Sequence, residues 1–109
     1  MMNGGMMYSK SDIVLVQFPF SDLVHSKRRP MIVLAERADD IIGCAVTSNP
    51  QSEGLPILSF AQRSLPFESK IKYWQINTFE KSVVIQKIAK VSSKTHKELI
   101  LKIQELIKF

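Results

Sequence analysis

Two short segments of the chain place cations and hydroxyl groups beside apolar runs. Lys27, Arg28 and Arg29 precede Pro30 and the apolar residues 31–34, and a second apolar run, 44–46, ends in two hydroxyl side chains and an amide. If the two runs form neighbouring strands, a guanidinium and a pair of hydroxyls lie at the same end of a sheet. A forked cation with neutral donors can hold a phosphodiester and stabilise the charge that develops on it during attack.

These segments resemble those of a known family. Residues 12–22 (Asp-Ile-Val-Leu-Val-Gln-Phe-Pro-Phe-Ser-Asp), 27–30 (Lys-Arg-Arg-Pro) and 45–49 (Ala-Val-Thr-Ser-Asn) are similar, in this order, to the MazF/PemK (Kid-like) toxins of type II toxin–antitoxin systems. Residues 77–82 (Asn-Thr-Phe-Glu-Lys-Ser) match a weaker third motif of that family. The resemblance extends from about Asp12 to the C-terminus.

Length and composition indicate one small domain. The chain has 109 residues, of which 45% are apolar, enough for a single core. We expect a flexible leader at 1–11, without a signal peptide, followed by one toxin-like domain at 12–109. The single cysteine, Cys44, excludes an intrachain disulfide and fits a cytoplasmic protein. The net charge of +5 favours polyanionic partners such as RNA.

The pattern of apolar residues predicts five or six short strands and one helix, in the α+β class. Strands are expected at 13–18, 31–35, 41–47, 55–60, 69–76 and 82–88, with the second and third forming a hairpin and residues 19–29 forming a polar loop. Apolar residues at three- and four-residue spacing predict an amphipathic helix at 94–108, capped by Ser92 or Ser93. The elements suggest a small barrel with a helix packed on it. The resemblance implies the same fold, an SH3-like β-barrel with a C-terminal helix, as in MazF, Kid and CcdB toxins.

Arg29 and Thr47 are the predicted catalytic residues. Arg29 is always charged and suited to a phosphorane, and the resemblance matches it to the family's active-site arginine. Thr47 matches the family's strand-end threonine, whose hydroxyl can donate to a non-bridging oxygen. Ser48 is a further catalytic candidate in the same donor set. For each of these hydroxyls the alternative is a local bond to the backbone, which Thr and Ser form readily.

A second group of residues is assigned to acid–base chemistry and RNA binding. His25 titrates in the range needed for a general base or acid and is a catalytic candidate, although a lone loop histidine is usually only solvated. Lys72 stands where Kid-like relatives carry a basic residue, but Trp74 replaces the acidic residue two positions later. Trp74 could stack on an RNA base or pack in a core or interface. The remaining RNA-binding candidates are Lys27, Arg28 and Asn49.

The resemblance implies a growth-inhibiting toxin that is a sequence-specific endoribonuclease. It implies cleavage of single-stranded mRNA to a 2′,3′-cyclic phosphate and a 5′-hydroxyl, a homodimer with RNA in a groove at its interface, and a cognate antitoxin that occupies the same groove. No spacing of histidine, cysteine and carboxylate residues indicates a metal site, so we expect neither metal nor cofactor. Two alternatives remain: a gyrase-inhibiting toxin of the CcdB kind, and an RNA-binding barrel without catalysis.

Overall fold

The computed structural model describes residues 7–18 and 27–108 and contains seven strands and one helix within them. The elements in chain order are β1 (Asp12–Phe18), β2 (Lys27–Arg37), β3 (Asp40–Thr47), β4 (Leu55–Pro56), β5 (Phe60–Gln62), β6 (Lys70–Glu80), β7 (Val84–Val91) and α1 (Ser93–Ile107). A short 3-10 helix, Lys81–Val83, joins β6 to β7. The prediction of a mainly β domain with one C-terminal helix is therefore confirmed.

The strands form one antiparallel sheet that curls into a half-barrel, in the order β4-β6-β3-β2-β1-β7-β5. Strands β2 and β3 form the predicted hairpin, with a turn at Ala38 and Asp39. They approach closely at Gly43, where a Cβ atom would lie 2.6 Å from the carbonyl oxygen of Ile32. Any larger residue there would clash with the backbone of β2, so glycine at this position allows the close approach of the two strands.

Both faces of the central strands are covered, as the nearly continuous apolar run of β2 predicts. One face carries Ile13, Ile32 and Cys44 and packs against Leu99 of α1. The other face carries the alternate residues of the same strands and forms a second cluster, which contains Tyr8, Val14, Val16, Met31, Val33, Ile41 and Phe79. The sheet is thus held from two sides, which fixes the strand ends that carry the polar residues.

Strand β2 begins four residues earlier than the sequence predicted. The polar loop was expected to continue to residue 29, but residues 27–29 pair with β1, with Arg29 opposite Val16. Pairing of β2 with β3 begins only at Met31. Pro30 therefore lies where β2 pairs with β1 but not with β3. No backbone hydrogen bond to β3 is needed at this position, which suits a residue without an N–H. The sheet is open beside Arg29 on the β3 side.

Helix α1 begins after Ser92, whose hydroxyl accepts a hydrogen bond from the backbone N–H of Thr95 at 3.2 Å. This identifies Ser92 rather than Ser93 as the cap, and it satisfies one of the free N–H groups of the first turn. Leu99 is fully buried, and Ile103 packs against the same cluster. Leu101, on the side of the helix opposite Leu99, and Leu106 and Ile107, in its last turn, are more than half exposed.

Part of the segment expected as a leader packs on the domain. Tyr8 is buried, and its backbone N–H donates to the carboxylate of Glu36 at 2.8 Å. Asp12 is also buried and accepts hydrogen bonds from the backbone of Ser9 and from Lys90. Residues 8–11 are therefore anchored, while the first six residues of the expected leader lie outside the described part of the chain. Within the described residues, no helix has the length and apolar character needed to cross a membrane.

Candidate active site

A cleft of about 380 Å³ lies where β2 separates from β3. We call it the cationic cleft. Its walls come from the ends of β2 and β3, from β6 and from the loop that precedes β6. Its lining is Leu15, Arg29, Pro30, Ala45, Val46, Thr47, Ser48, Leu65, Pro66, Phe67, Ser69, Lys72, Gln75 and Ile88. It brings together three of the predicted catalytic residues, and the absence of β2–β3 pairing before Met31 leaves it open.

The register of the hairpin explains why Arg29 and Thr47 reach the same cleft. The last paired residues at this end are Met31 and Ala45. Arg29 lies two residues before Met31, and Thr47 lies two residues after Ala45, so both continue on the same face by the two-residue alternation of strands. This is the arrangement predicted from the order of the two motifs.

Thr47 already makes a local hydrogen bond, but its hydroxyl keeps a donor. Its Oγ1 accepts from the backbone N–H of Asn49 at 3.1 Å. A hydroxyl has one proton and two lone pairs, so an accepted bond leaves the proton free to be donated. The bond therefore orients the Thr47 hydroxyl and leaves its proton available to donate to a phosphate oxygen. The side chain of Asn49 is held in a similar way, because its Oδ1 accepts from the N–H of Gln51 at 2.9 Å.

A bulge in β6 decides which of its residues face the cleft. Cys44 pairs with Ile76 and the next residue of β3, Ala45, pairs with Lys72. Three consecutive residues of β6, Tyr73 to Gln75, thus stand opposite no residue of β3. Bulges bend a strand and re-aim its side chains, and they are frequent beside active sites. Here Lys72 and Gln75, three positions apart, both line the cationic cleft.

Trp74 is not among the residues that line the cleft. Its ring meets that of Tyr73 edge to face, with centroids 5.1 Å apart, and it is 40% exposed. Tyr73 in turn packs against the core under α1 and lies 5.9 Å from the ammonium group of Lys102. Trp74 is therefore not part of the described cleft wall that Arg29 and Thr47 share, and its stacking on an RNA base stays a prediction.

The cleft has a one-sided charge. Among the described residues that line it, Arg29 and Lys72 are cations and no residue is a carboxylate. Within 7–18 and 27–108, no three His, Cys, Asp or Glu side chains are grouped in a way that could hold a metal ion. The nearby thiol of Cys44 is fully buried, and burial raises its pKa to about 11, so it is not a nucleophile at neutral pH. The arrangement can bind an anion and stabilise added negative charge on it.

The other predicted RNA-binding residues are distributed around this centre. Lys27 and Arg28 are exposed on β2, but neither is among the described residues that line the cleft. Asn49 lines a second, neighbouring cleft. His25, the candidate general base, lies outside the described residues.

Two residues of the site were missed by the sequence reasoning. Gln75 enters the cleft only because of the bulge in β6, which depends on the pairing partner and leaves no signal in the sequence. Phe67 also lines the cleft and is 70% exposed. The sequence could have indicated Phe67, because it lies between Pro66 and Glu68, outside the predicted strands, where an aromatic side chain is not expected to be part of the core.

A family model described as PemK-like, MazF-like toxin of type II toxin-antitoxin system matches residues 9–107. No protein in the curated set matches the sequence.

Three solved structures share the fold. The MazE–MazF complex (Form-II) of Deinococcus radiodurans matches with a TM-score of 0.75 and 17% identity, covering 92% of this chain and 95% of that chain. MazF (Form-I) of the same organism matches with a TM-score of 0.71 and 18% identity, over 94% and 97% of the two chains. An endoribonuclease in complex with its cognate antitoxin, from a Mycobacterial species, matches with a TM-score of 0.66 and 8% identity, over 94% and 99%.

Proposed function

The chain belongs to the PemK-like, MazF-like toxin family of type II toxin–antitoxin systems, and we propose that it is a metal-independent endoribonuclease that cleaves single-stranded RNA. The observation that supports the proposal is the cationic cleft, which Arg29, Lys72 and Thr47 line together with no carboxylate among its described lining residues. One phosphodiester group, with a single negative charge and two non-bridging oxygens, matches this set of donors.

The reaction proposed is an internal transfer on the RNA. The 2′-hydroxyl oxygen attacks the adjacent phosphorus, the bond from phosphorus to the 5′ oxygen breaks, and a 2′,3′-cyclic phosphate and a 5′-hydroxyl result. The proton of the 2′-hydroxyl leaves to a base, and the departing 5′ oxygen receives one. Between these steps the phosphorane carries extra negative charge, which is the charge that the cleft is built to stabilise.

Each polar residue of the cleft has a distinct part in this step. Arg29 gives a planar fork of N–H donors to two phosphorane oxygens, and Lys72 adds a second positive charge. Thr47 donates its hydroxyl proton to a non-bridging oxygen while its own oxygen stays bonded to Asn49 N–H. Ser48, exposed at the same strand end, supplies a further donor. Gln75 can donate and accept hydrogen bonds but cannot take a proton at neutral pH.

We propose two protein partners, a second copy of the chain and an antitoxin. The antitoxin proposal is supported by the relatives solved with MazE or with a cognate antitoxin. The net charge of +5 and the cationic cleft favour an acidic segment that folds on binding and competes with RNA. The homodimer proposal is supported by the apolar side chains left exposed on α1, namely Leu101, Leu106 and Ile107.

The test is cleavage of a long single-stranded RNA in the presence of EDTA. We expect the purified protein to cut it and leave 5′-hydroxyl ends, which accept phosphate from polynucleotide kinase without prior dephosphorylation. Arg29→Ala should lower kcat by about 10²–10³-fold, since it removes a key electrostatic donor. Arg29→Lys should restore little, because a point charge cannot form the fork.

Arg37 provides the matched control. It is an exposed arginine on the same strand, at the opposite end of β2, and it lines neither cleft. Arg37→Ala has the same effect on net charge and should leave cleavage unchanged. Cleavage by Arg29→Ala within a few-fold of the unaltered protein would refute the site. Absence of any cleavage by the unaltered protein would refute the enzyme and favour one of the two alternatives, a gyrase inhibitor or a non-catalytic RNA-binding barrel.

A further inference from the structure

A second cleft, of about 700 Å³, adjoins the cationic cleft. We call it the apolar cleft, and it is lined by Thr47, Ser48, Asn49, Pro50, Pro56, Ile57, Leu58, Phe67, Glu68, Ser69 and Lys70. Four of these residues, Thr47, Ser48, Phe67 and Ser69, also line the cationic cleft. The two clefts are therefore neighbouring parts of one groove, with Phe67 on the wall between them.

The apolar cleft exposes two large apolar side chains. Phe67 is 70% exposed and Leu58 is 84% exposed, and both side chains line it. Single exposed apolar residues are common on proteins and need no explanation. Two large ones in the same concave wall, together with Pro50 and Pro56 and with a polar rim, are instead typical of a ligand groove.

The loop that carries Phe67 is anchored on both sides. Leu65 packs against the core under the sheet, two residues before Phe67. Two residues after it, the hydroxyl of Ser69 donates to the carbonyl oxygen of Phe67 at 2.9 Å, and the carbonyl oxygen of Ser69 accepts from the N–H of Ile57 at 3.0 Å. Pro66 fixes one further backbone angle. The aromatic ring is thus presented by a held backbone, so binding against it costs little ordering of the chain.

The two clefts differ in charge, so they suit different chemical groups of a ligand. The described lining of the cationic cleft has two cations and no carboxylate, which suits a phosphate. In the apolar cleft, Glu68 and Lys70 balance each other, and the ammonium group of Lys70 already donates to the carbonyl oxygen of Ser52 at 2.8 Å. The apolar cleft therefore suits an uncharged, flat group that is covalently linked to a phosphate bound in the cationic cleft. A nucleobase of RNA has these properties.

We propose that Phe67 is the base-stacking platform of the site, and that the apolar cleft holds the RNA base next to the cleaved phosphate. The inference rests on the proposed ribonuclease function. It adds a binding site for the base, which is the part of the RNA that determines sequence preference. Stacking on an aromatic ring binds any base, so discrimination comes from polar groups on the rim. Asn49 is such a group: its Oδ1 accepts from Gln51, which leaves its amide NH₂ to donate to an acceptor on the edge of the base.

The experiment compares four substitutions of Phe67 on one long single-stranded RNA, with every cut site mapped by sequencing from the 5′-hydroxyl ends. Phe67→Ala should lower kcat/KM by about 5- to 150-fold, the range expected for loss of one base–aromatic stack, and mainly through KM. It should also weaken the sequence preference at one position beside the cut, because a base that the ring no longer holds is not kept within reach of Asn49. Phe67→Tyr and Phe67→Trp should retain activity and preference, whereas Phe67→Leu should not, because leucine keeps apolar surface but has no aromatic face.

Met7 and Trp74 supply the comparisons. Met7 is 80% exposed and lines neither cleft, so Met7→Ala tests for a general effect of removing exposed apolar surface and should change nothing. Trp74→Ala tests the rival platform, an exposed ring that lines neither cleft. A larger loss in Trp74→Ala than in Phe67→Ala would overturn the proposal.

The outcomes separate this inference from the function on which it rests. If the unaltered protein cuts RNA and Phe67→Ala retains both its KM and its sequence preference, the inference is wrong and the function stands. If Phe67→Ala weakens only the binding of the antitoxin, the apolar cleft is a protein-binding site and the inference is again wrong. If the unaltered protein neither cuts RNA nor binds an uncleavable 2′-O-methyl RNA, both proposals fail.

Discussion

Replacement of Thr47 by valine tests the member of the proposed catalytic set whose hydroxyl is already engaged in a local hydrogen bond. Valine has nearly the same shape as threonine and carries a methyl group in place of the hydroxyl. Two interactions are then lost: the bond accepted from the N–H of Asn49, seen at 3.1 Å, and the bond proposed from the hydroxyl to the phosphorane. Thr47→Ser keeps both and serves as the conservative variant.

The two losses differ in size and in the quantity that reports them. The bond to Asn49 is exposed, so its loss should lower the free energy of unfolding by no more than about 1 kcal/mol. A hydrogen bond to a charged oxygen is worth about 1.5–3 kcal/mol, which corresponds to a rate loss of about 10- to 150-fold. Thr47 is half-buried, so water competes with it, and we expect values in this range rather than the larger losses of enclosed oxyanion holes.

The assay measures kcat and KM on the same RNA and the midpoint of urea unfolding in the same preparations. Thr78, an exposed threonine on β6 that lines neither cleft, gives the control Thr78→Val, for which kcat should not change. Thr47→Val should lower kcat, and Thr47→Ser should recover most of it. If Thr47→Val keeps kcat within a factor of three of the unaltered protein while the unaltered protein cuts RNA, then Thr47 only shapes the turn and has no catalytic part.

Two further predictions concern the folded state. Burial, followed by the charges of Lys10 and Lys90, lowers the pKa of His96 below its usual value of 6.5, so the unfolded chain binds this proton more readily than the folded chain. That contribution to stability is present above about pH 6.5 and is lost as the pH falls through the lowered pKa; urea unfolding should show this slope, and His96→Gln should flatten it. Sedimentation at micromolar concentration should show a C₂ dimer rather than a 12.4 kDa monomer, and Leu101→Glu should shift it toward the monomer if α1 forms the interface.

The elements that were predictable from sequence are those with a local cause. The helix follows from the spacing of its apolar residues, of which Leu99 and Ile103 contact the core as expected. Its start follows from Ser92, which forms the cap and is one of the two candidates, Ser92 and Ser93, that the sequence offers. The β2–β3 hairpin follows from two apolar runs joined by a short polar turn, and it alone suffices to bring Arg29 and Thr47 to the same end of the sheet.

The features that were not predictable depend on partners distant in the chain. Residues 27–29 appear as a charged loop in the sequence, yet they extend β2 because β1 offers them a strand to pair with. The antiparallel pairing of β1 with β7 joins residues about seventy positions apart and has no local signal. The same is true of Leu58 and Phe67, which lie on different loops and become one surface only when the apolar cleft forms.

The bulge in β6 also bears on Trp74, which stands where Kid-like relatives carry an acidic residue. Kid-like relatives carry a basic and an acidic residue two positions apart in this strand, where this chain has Lys72 and Trp74, and residues two apart share a face of a regular strand. Three unpaired residues in β6 break that alternation, and Gln75 joins Lys72 in the cleft instead. The acidic residue of Kid-like relatives therefore has no carboxylate counterpart among the described residues of this cleft. In the reaction that we propose, Arg29, Lys72 and Thr47 would stabilise charge, and the proton acceptor would be a group outside the described lining of the cleft. Because charge stabilisation and proton transfer lower the barrier separately, the proposed mechanism predicts measurable cleavage even with a weak base.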